Sequence, residues 1–264
     1  MQTALITGAS SGIGAALAKL FARNGHRLIL AARSVDKLEA LAQELESDFA
    51  VPAHVQQADL ARRGSAKRLS AAVRELNVDI DVLVNNAGVM EHGYFTDMPQ
   101  SKHKRMIDLN ISGLTSMLNT FLPGMVERGA GRILNVASVA AFQPLPSLAT
   151  YAATKAYVLS LTESLAEELA GTGVTVTALC PSFTATPMLK GAQDGSPALK
   201  NMPKFLISDV DDVAKSGFDA CLRGDVISVP GALNLAATVT GRAMPKWLLR
   251  RLSGVVGRYT SGRK

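Results

Sequence analysis

Tyr151 and Lys155 stand four positions apart within residues 150 to 170, a stretch with helical periodicity. Four residues span little more than one helical turn, so the two side chains project from one face and can influence each other. A phenol ordinarily ionises near pH ~10, and a neighbouring ammonium favours the phenolate, which moves the group toward use near neutral pH. Such a pair can pass a proton to or from a reacting oxygen. The same spacing is also common in ordinary surface pairs, and Ser138 is what gives it weight. That serine sits 13 residues before Tyr151, at the end of an apolar run from 132 to 138. Open α/β sheets place their ligands at the carboxyl ends of strands. Ser138 and Tyr151 are therefore expected to converge on one carbon.

A second group of residues is suited to holding a phosphate. The turn Thr7-Gly8-Ala9-Ser10-Ser11-Gly12-Ile13-Gly14 joins a first apolar run to a first helical segment. Its three glycines permit a tight turn, close approach to a phosphate and close helix packing. The helix start beyond them offers unpaired amides and the positive end of a dipole. The spacing is G-x-x-x-G-x-G, not the commoner G-x-G-x-x-G. At the end of the second apolar run the chain reads Ala31-Ala32-Arg33-Ser34. A carboxylate there would bind a ribose 2′-hydroxyl and repel a 2′-phosphate. None is present, and Arg33 can offer that phosphate a bidentate, charge-assisted contact. These residues predict NADP(H) rather than NAD(H).

These groups need a scaffold that brings strand ends together. Apolar runs at 3 to 7, 27 to 32, 54 to 59, 81 to 86, 132 to 138, 174 to 180 and 226 to 230 alternate with segments of helical periodicity. The helices are expected near 13 to 24, 34 to 47, 64 to 76, 101 to 127, 150 to 170 and 209 to 222. That alternation predicts a single-domain, doubly wound Rossmann fold, an α/β structure with a mostly parallel seven-stranded sheet covered by helices on both faces. A chain of 264 residues with 47% hydrophobic content can bury one such core. Residues 1 to 241 are taken as the catalytic domain, with 182 to 208 as a substrate lid, because a long stretch without periodicity in a compact domain is more often functional than a linker.

Thr7-Gly8-x-x-x-Gly12-x-Gly14, Asn85-Asn86-Ala87-Gly88, Ser138 and Tyr151-x-x-x-Lys155 follow one another with spacing that resembles the short-chain dehydrogenase/reductase family. The resemblance runs over roughly residues 2 to 235. It implies nicotinamide-dependent oxidoreduction of a carbonyl or alcohol carbon. In it Ser138 holds the substrate oxygen, Tyr151 exchanges the proton, and Lys155 lowers the Tyr151 pKa and binds the nicotinamide ribose. Asn110 resembles a fourth member that supports a proton-relay water, although a helix-interior amide satisfying backbone groups is an equally good account of it. The resemblance assigns Gly8, Ser10, Ser11, Gly12, Ile13, Gly14 and Arg33 to the cofactor, with Asp59 and Leu60 at the adenine and Asn86, Ala87 and Gly88 along the adenosine side. Asn, Asp and Gly are also ordinary turn residues. Beyond the sixth run it adds Pro181, Thr184 and Thr186, while Ser182 stands where the family commonly has glycine.

The walls around the reacting carbon, residues 89 to 96, 139 to 150 and the lid, are rich in Val, Leu, Met and Phe. They suit a hydrophobic small-molecule ketone, aldehyde or alcohol better than a sugar. Reduction of a 3-oxoacyl thioester on an acyl carrier is the alternative within the family. A non-catalytic NADPH-binding sensor is the alternative outside it, against which an intact Ser138, Tyr151 and Lys155 speaks. Cys180 and Cys221 follow no metal-ligand spacing, so no metal is expected, and small buried thiols suit a reducing cytoplasm. The N-terminal sequence enters a strand at once, with no room for a signal peptide.

The net charge is +6, and seven of the 28 basic residues fall in 242 to 264, which has no acidic one. The near-neutral remainder argues against nucleic acid. That basic, Trp247-bearing extension is expected to form a short amphipathic helix, docked on the domain or touching an anionic membrane surface weakly. The helices 101 to 127 and 150 to 170 are apolar around much of their circumference, which predicts a homodimer or homotetramer.

Overall fold

In a computed structural model the chain is described over residues 1–194 and 206–232, and at 200, 203, 234, 235, 238, 247, 250 and 251. The strands are β1 (Thr3–Thr7), β2 (Arg27–Ala32), β3 (Ala53–Gln57), β4 (Val82–Asn85), β5 (Gly131–Val136), β6 (Val174–Leu179) and β7 (Ile227–Ser228). They form one sheet in the order β3-β2-β1-β4-β5-β6-β7, with every pairing parallel. The expected doubly wound sheet is thus present, and it is parallel throughout.

Period-two alternation divides the strand residues between two cores. Ile6, Leu30, Val84, Leu134 and Leu179 face α1 (Gly12–Arg23) and α2 (Val35–Phe49). Leu5, Ile29, Leu83, Ile133 and Val176 face the opposite layer, built on α3 (Ser65–Glu75) and on helices that follow β4 and β5. Both faces of the sheet are covered at its centre, which is why β1, β2 and β4 read as apolar runs, whereas β3 at the edge is partly exposed. Phe21 of α1 is fully buried and meets Phe218 edge-on at 4.8 Å, so truncating it to alanine is expected to lose about 3–5 kcal/mol.

The predicted helix 101 to 127 is broken. It consists of α4 (Gln100–Ile107), a π-helical segment (Asp108–Gly113) and α5 (Leu114–Arg128). The widened turn carries Asn110, and it lies flush against the chain after β3: a Cβ added at Gly113 would stand 2.8 Å from the Leu60 carbonyl oxygen. Widened turns of this kind are frequent at functional sites. The helix carrying the tyrosine and lysine is α6 (Ala149–Glu168), preceded by a 3-10 turn (Val139–Phe142). The segment 182 to 208, expected to serve as a lid and without periodicity in sequence, holds the helix α7 (Pro187–Asp194), and α8 (Val210–Arg223) follows it. Proline at the first helical position and Thr186 before it start α7. Lid residues 195–199, 201, 202, 204 and 205 and most of the extension 242–264 lie outside the described residues. No helix among the described residues is long and apolar enough to cross a membrane.

Strand order reverses on either side of β1, so the crevice at the carboxyl ends of β1 and β4 is the topological switch point where such sheets hold ligands. The glycine turn leaves β1 there, Asn86–Gly88 leave β4, Ser138 leaves β5 and Pro181 leaves β6.

Candidate active site

The glycine turn is built on backbone contacts that exclude a side chain. Gly8 has φ +66, its amide donates to the Ala31 carbonyl at 2.7 Å, and an added Cβ would lie 2.8 Å from Asn86 Nδ2 and 2.9 Å from Ala87 Cα. A Cβ at Gly14 would collide with Asn86 Nδ2 and the Gly8 carbonyl. Asn86 Nδ2 donates to the carbonyls of Thr7 and Gly8 at 3.0 and 3.1 Å. The Asn86 side chain is therefore a brace between the β1 and β4 turns. Thr7 completes it: Oγ1 accepts from the amides of Asn86 and Ala87 at 3.0 and 3.1 Å and donates to the Val84 carbonyl at 3.1 Å. Thr7 was legible only as a motif letter, and a hydroxyl at a strand end just before a glycine turn is the signal for its role. Ser11, ahead of α1, makes no side-chain bond to the first turn, which leaves the amides of the helix start for an anion. The cradle fits a pyrophosphate.

Ser10, Ser11, Gly12 and Ile13 line the same cleft, which passes Arg33 at one end. Arg33 is exposed and makes no ion pair among the described residues; its carbonyl accepts from Gln57 Nε2 at 3.2 Å. Asp59 and Leu60 also line the cleft. The Asp59 carboxylate is engaged locally, accepting from the Ala61 amide at 3.2 Å and meeting Arg62 Nε at 3.4 Å, so turn chemistry accounts for it. Leu60 is buried.

At the other end Ser138, Tyr151 and Lys155 are buried together. Ser138 Oγ accepts from the Ala140 amide at 3.1 Å and donates to the Pro181 carbonyl at 3.3 Å. Burial pushes the Tyr151 phenol up to about 12, with hydrogen bonding to Ser138 pulling the other way. Burial pushes the Lys155 ammonium down to about 8. Lys155 Nζ donates to the Val136 carbonyl at 2.8 Å and stands 5.8 Å from the centre of the Tyr151 ring. The phenolate expected from the helical spacing is therefore not what burial favours. Burial keeps the Tyr151 phenol protonated at neutral pH, beside a lysine that is still charged. A Cβ at Gly88 would lie 3.6 Å from Lys155 Nζ, so the β4 turn closes over the ammonium.

Asn110 is 2% exposed and its side chain is fully engaged. Oδ1 accepts from the Val89 amide, Nδ2 donates to the Val89 carbonyl, both at 2.9 Å, and Nδ2 also donates to Thr154 Oγ1 at 3.0 Å. Thr154 Oγ1 donates in turn to the Tyr151 carbonyl at 2.8 Å. The amide satisfies backbone groups and ties the β4 turn to α6. No periodicity in the sequence pointed to Thr154.

Beyond β6, Ser182 has no positive φ, so the position does not require glycine. Its hydroxyl lies 3.1 Å from Ser208 Oγ and accepts from Asn234 Nδ2 at 3.0 Å. Thr184 is buried, bridges to Ser208, and donates to the Ser182 carbonyl at 3.0 Å. Thr186 Oγ1 donates to the Thr184 carbonyl at 3.2 Å and receives the Leu189 amide at 3.4 Å, while its methyl faces Gly12, where an added Cβ would stand 3.1 Å away. The start of the segment after β6 thus reaches back to the glycine turn. Pro181, Thr184 and Thr186 line the cleft with Ala87 and Gly88, and its volume is about 930 Å³.

A parallel sheet wound in both directions, with a glycine turn at its switch point, defines the Rossmann class of dinucleotide-binding proteins. A family model for short chain dehydrogenase matches residues 2–196; the chain belongs to that family and is an oxidoreductase of it. A short-chain dehydrogenase from Sphingobium yanoikuyae, solved in complex with NADPH, is 35% identical with a TM-score of 0.82, covering 92% of this chain and 94% of that one. The bulky-bulky ketone specific alcohol dehydrogenase from Comamonas testosteroni is 31% identical with a TM-score of 0.78, covering 92% of each chain. A short chain dehydrogenase/reductase from Burkholderia phymatum, solved with NAD, is 27% identical with a TM-score of 0.80, covering 90% of this chain and 92% of that one.

Proposed function

We propose that the protein is an NADP(H)-dependent oxidoreductase acting on the carbonyl or alcohol carbon of a hydrophobic small molecule, with Ser138, Tyr151 and Lys155 as its catalytic residues. The observation that carries this is the burial of all three at one end of a cleft that begins at the glycine turn and Arg33. Solved relatives hold NADPH or NAD, so the cofactor choice in this chain rests on Arg33 and the missing carboxylate after β2. The ketone specificity of the Comamonas testosteroni enzyme agrees with the apolar walls here.

When bound, the nicotinamide supplies or accepts the hydride. Ser138 Oγ holds the substrate oxygen. Tyr151, neutral at pH 7, gives its proton to that oxygen as negative charge develops on it. The Lys155 ammonium stabilises the phenolate left behind and would also hold the nicotinamide ribose when the cofactor is bound. In alcohol oxidation the proton returns to Tyr151. Asn110 acts as a positioning residue that fixes the Val89 backbone and α6.

A panel of ketones, aldehydes and acyl thioesters, with NADPH consumption followed by absorbance, tests this. Tyr151→Phe is expected to lower kcat by about 10²–10⁴-fold while NADPH affinity changes by a few-fold at most. A variant keeping more than about a tenth of wild-type kcat would remove Tyr151 from the role of acid. We further propose that α5 and α6 pair across a two-fold axis, since Val126 and Tyr157 are more than a third exposed on them. A monomer in light scattering at micromolar concentration would refute the pairing.

A further inference from the structure

The wall of the cleft that follows β4 holds a side chain with no assigned work. Val89 and Met90 pack against the buried group around Tyr151 and Leu148. Two residues on, His92 lines the cleft, half-buried. Its place is fixed from both sides. Glu91 pairs with Lys102 of α4 at 2.9 Å, and the Gly93 amide donates to the Ser147 carbonyl at 2.9 Å, four residues before Tyr151. Ser147 itself holds φ +65, a conformation L side chains rarely adopt, in the segment that leads into α6. Backbone strain of this kind clusters around ligand sites.

Among the described residues no group bonds either ring nitrogen of His92. His103, in contrast, has both nitrogens engaged, with Thr150 Oγ1 at 2.7 Å and the Phe95 carbonyl at 3.2 Å. His92 is a half-buried lining residue whose ring nitrogens have no protein partner among the described residues, so both are open to a ligand. The cleft it lines has apolar walls: Met90, Leu145, Leu148, Met188 and Leu206 also line it. Gln143, another polar side chain lining the cleft, is exposed.

We propose that His92 is a specificity residue whose imidazole hydrogen-bonds a second, uncharged oxygen of the substrate. The favoured substrates are then ketones or alcohols with a largely apolar body that carry a hydroxyl or carbonyl away from the reacting carbon. Burial lowers the His92 pKa below its ordinary 6.5, so at neutral pH the ring offers one donor and one acceptor and no charge, matching a hydroxyl or a carbonyl rather than a carboxylate. This assignment rests on carbonyl chemistry at Ser138 and Tyr151.

The test uses the full-length protein with NADPH and matched substrates: a saturated polycyclic monoketone, and hydroxyketones and diketones of the same skeleton with the second oxygen moved around it. Wild type is expected to favour at least one oxygenated isomer over the monoketone by about ten-fold in kcat/KM, expressed mainly in KM. His92→Leu should bring that ratio to about one, and His92→Gln, which keeps a donor and an acceptor, should restore part of it. Equal kcat/KM across all isomers in wild type, or a preference that survives His92→Leu, overturns the proposal. If His92→Leu does not fold, loss of the ratio in His92→Asn and its retention in His92→Gln decide the same question. Absence of turnover with every ketone would instead overturn the chemistry assigned to Ser138 and Tyr151, and is distinguishable from either result.

Discussion

Asn110 grips Val89 through both atoms of its side-chain amide, accepting from the Val89 nitrogen and donating to the Val89 oxygen at 2.9 Å each. The pair imitates one rung of a β-ladder between a helix side chain and a turn. Through Thr154 the same amide reaches the backbone of Tyr151, so one residue sets the distance between the β4 turn and α6. Asn110→Leu leaves the amide and carbonyl of Val89 unpaired, and each buried group left so costs about 1–3 kcal/mol. Chemical denaturation is expected to show a loss of that size together with reduced kcat/KM. A variant of full stability with abolished turnover would instead place Asn110 in the proton path.

The burial of Lys155 has a pH signature. Its ammonium, held to about 8, is charged at neutral pH and is lost as pH rises through that value. Reductive kcat and NADPH affinity are expected to be level from pH 6.5 to 7.5, on the order of one unit below that pKa, and to fall above pH ~8. The stability effect has the opposite sign. Between about 8 and the ordinary 10.5 the unfolded chain binds the proton and the folded one does not, so Lys155 makes stability rise with pH across that window. Comparing wild type with Lys155→Met isolates both effects: the variant should bind NADPH weakly and lack the rise. A pH profile of kcat flat to pH ~10 in wild type would refute the assignment.

Under the proposed function, Arg33 is expected to set the choice between the two nicotinamide cofactors. It is exposed at the cleft edge without an ion-pair partner among the described residues, free to meet a 2′-phosphate. A charge-assisted bidentate contact is worth about 1.5–3 kcal/mol, or about ten-fold or more in kcat/KM favouring NADPH. Arg33→Ala should erase most of that preference. Ala32→Asp added to it should favour NADH, because the new carboxylate repels a 2′-phosphate and accepts from a 2′-hydroxyl. Equal kcat/KM for both cofactors in wild type would sink the idea.

Much of this architecture is legible in the residue order. The inner strands announce themselves because strands buried on both faces need apolar runs, and Gly8, Gly12 and Gly14 announce the turn because added Cβ atoms would meet Asn86, Thr186 or the Gly8 backbone. What stays hidden depends on long-range packing. The π-helical turn at Asp108–Gly113 changes the helical period by about one residue, too little to disturb the apolar pattern. The electrostatics of Tyr151 depend on how deeply α6 is covered, and spacing along a helix carries no depth. Asn86 and Asp59, read as cofactor contacts or turn residues, have side chains held by the turns themselves. His92 belongs to no motif, and only the cleft gives it a place.

Ser182 shows how a departure from a family pattern can carry its own function. Where glycine is common, this chain places a hydroxyl between Ser208 Oγ at 3.1 Å and Asn234 Nδ2 at 3.0 Å. Asn234 also donates to the Pro230 carbonyl at 2.8 Å, so the clasp joins both ends of the segment 182 to 208, the proposed lid, to the chain after β7. The lid roots are otherwise tied by the Ser208 amide to the Phe183 carbonyl at 2.8 Å and the Ala185 amide to the Ser208 carbonyl at 3.1 Å. Ser182→Ala removes only the hydroxyl and keeps the backbone preference, whereas Ser182→Gly also adds backbone freedom. Loss of about 0.5–1.5 kcal/mol per hydrogen bond is expected to loosen the lid locally, with little change in global stability. Faster hydrogen exchange in residues 182 to 194 and a raised substrate KM, larger for Ser182→Gly than for Ser182→Ala, are the expected results. If both variants leave exchange and KM at wild-type values, the clasp does not hold the lid, and the backbone bridge between Thr184 and Ser208 is sufficient.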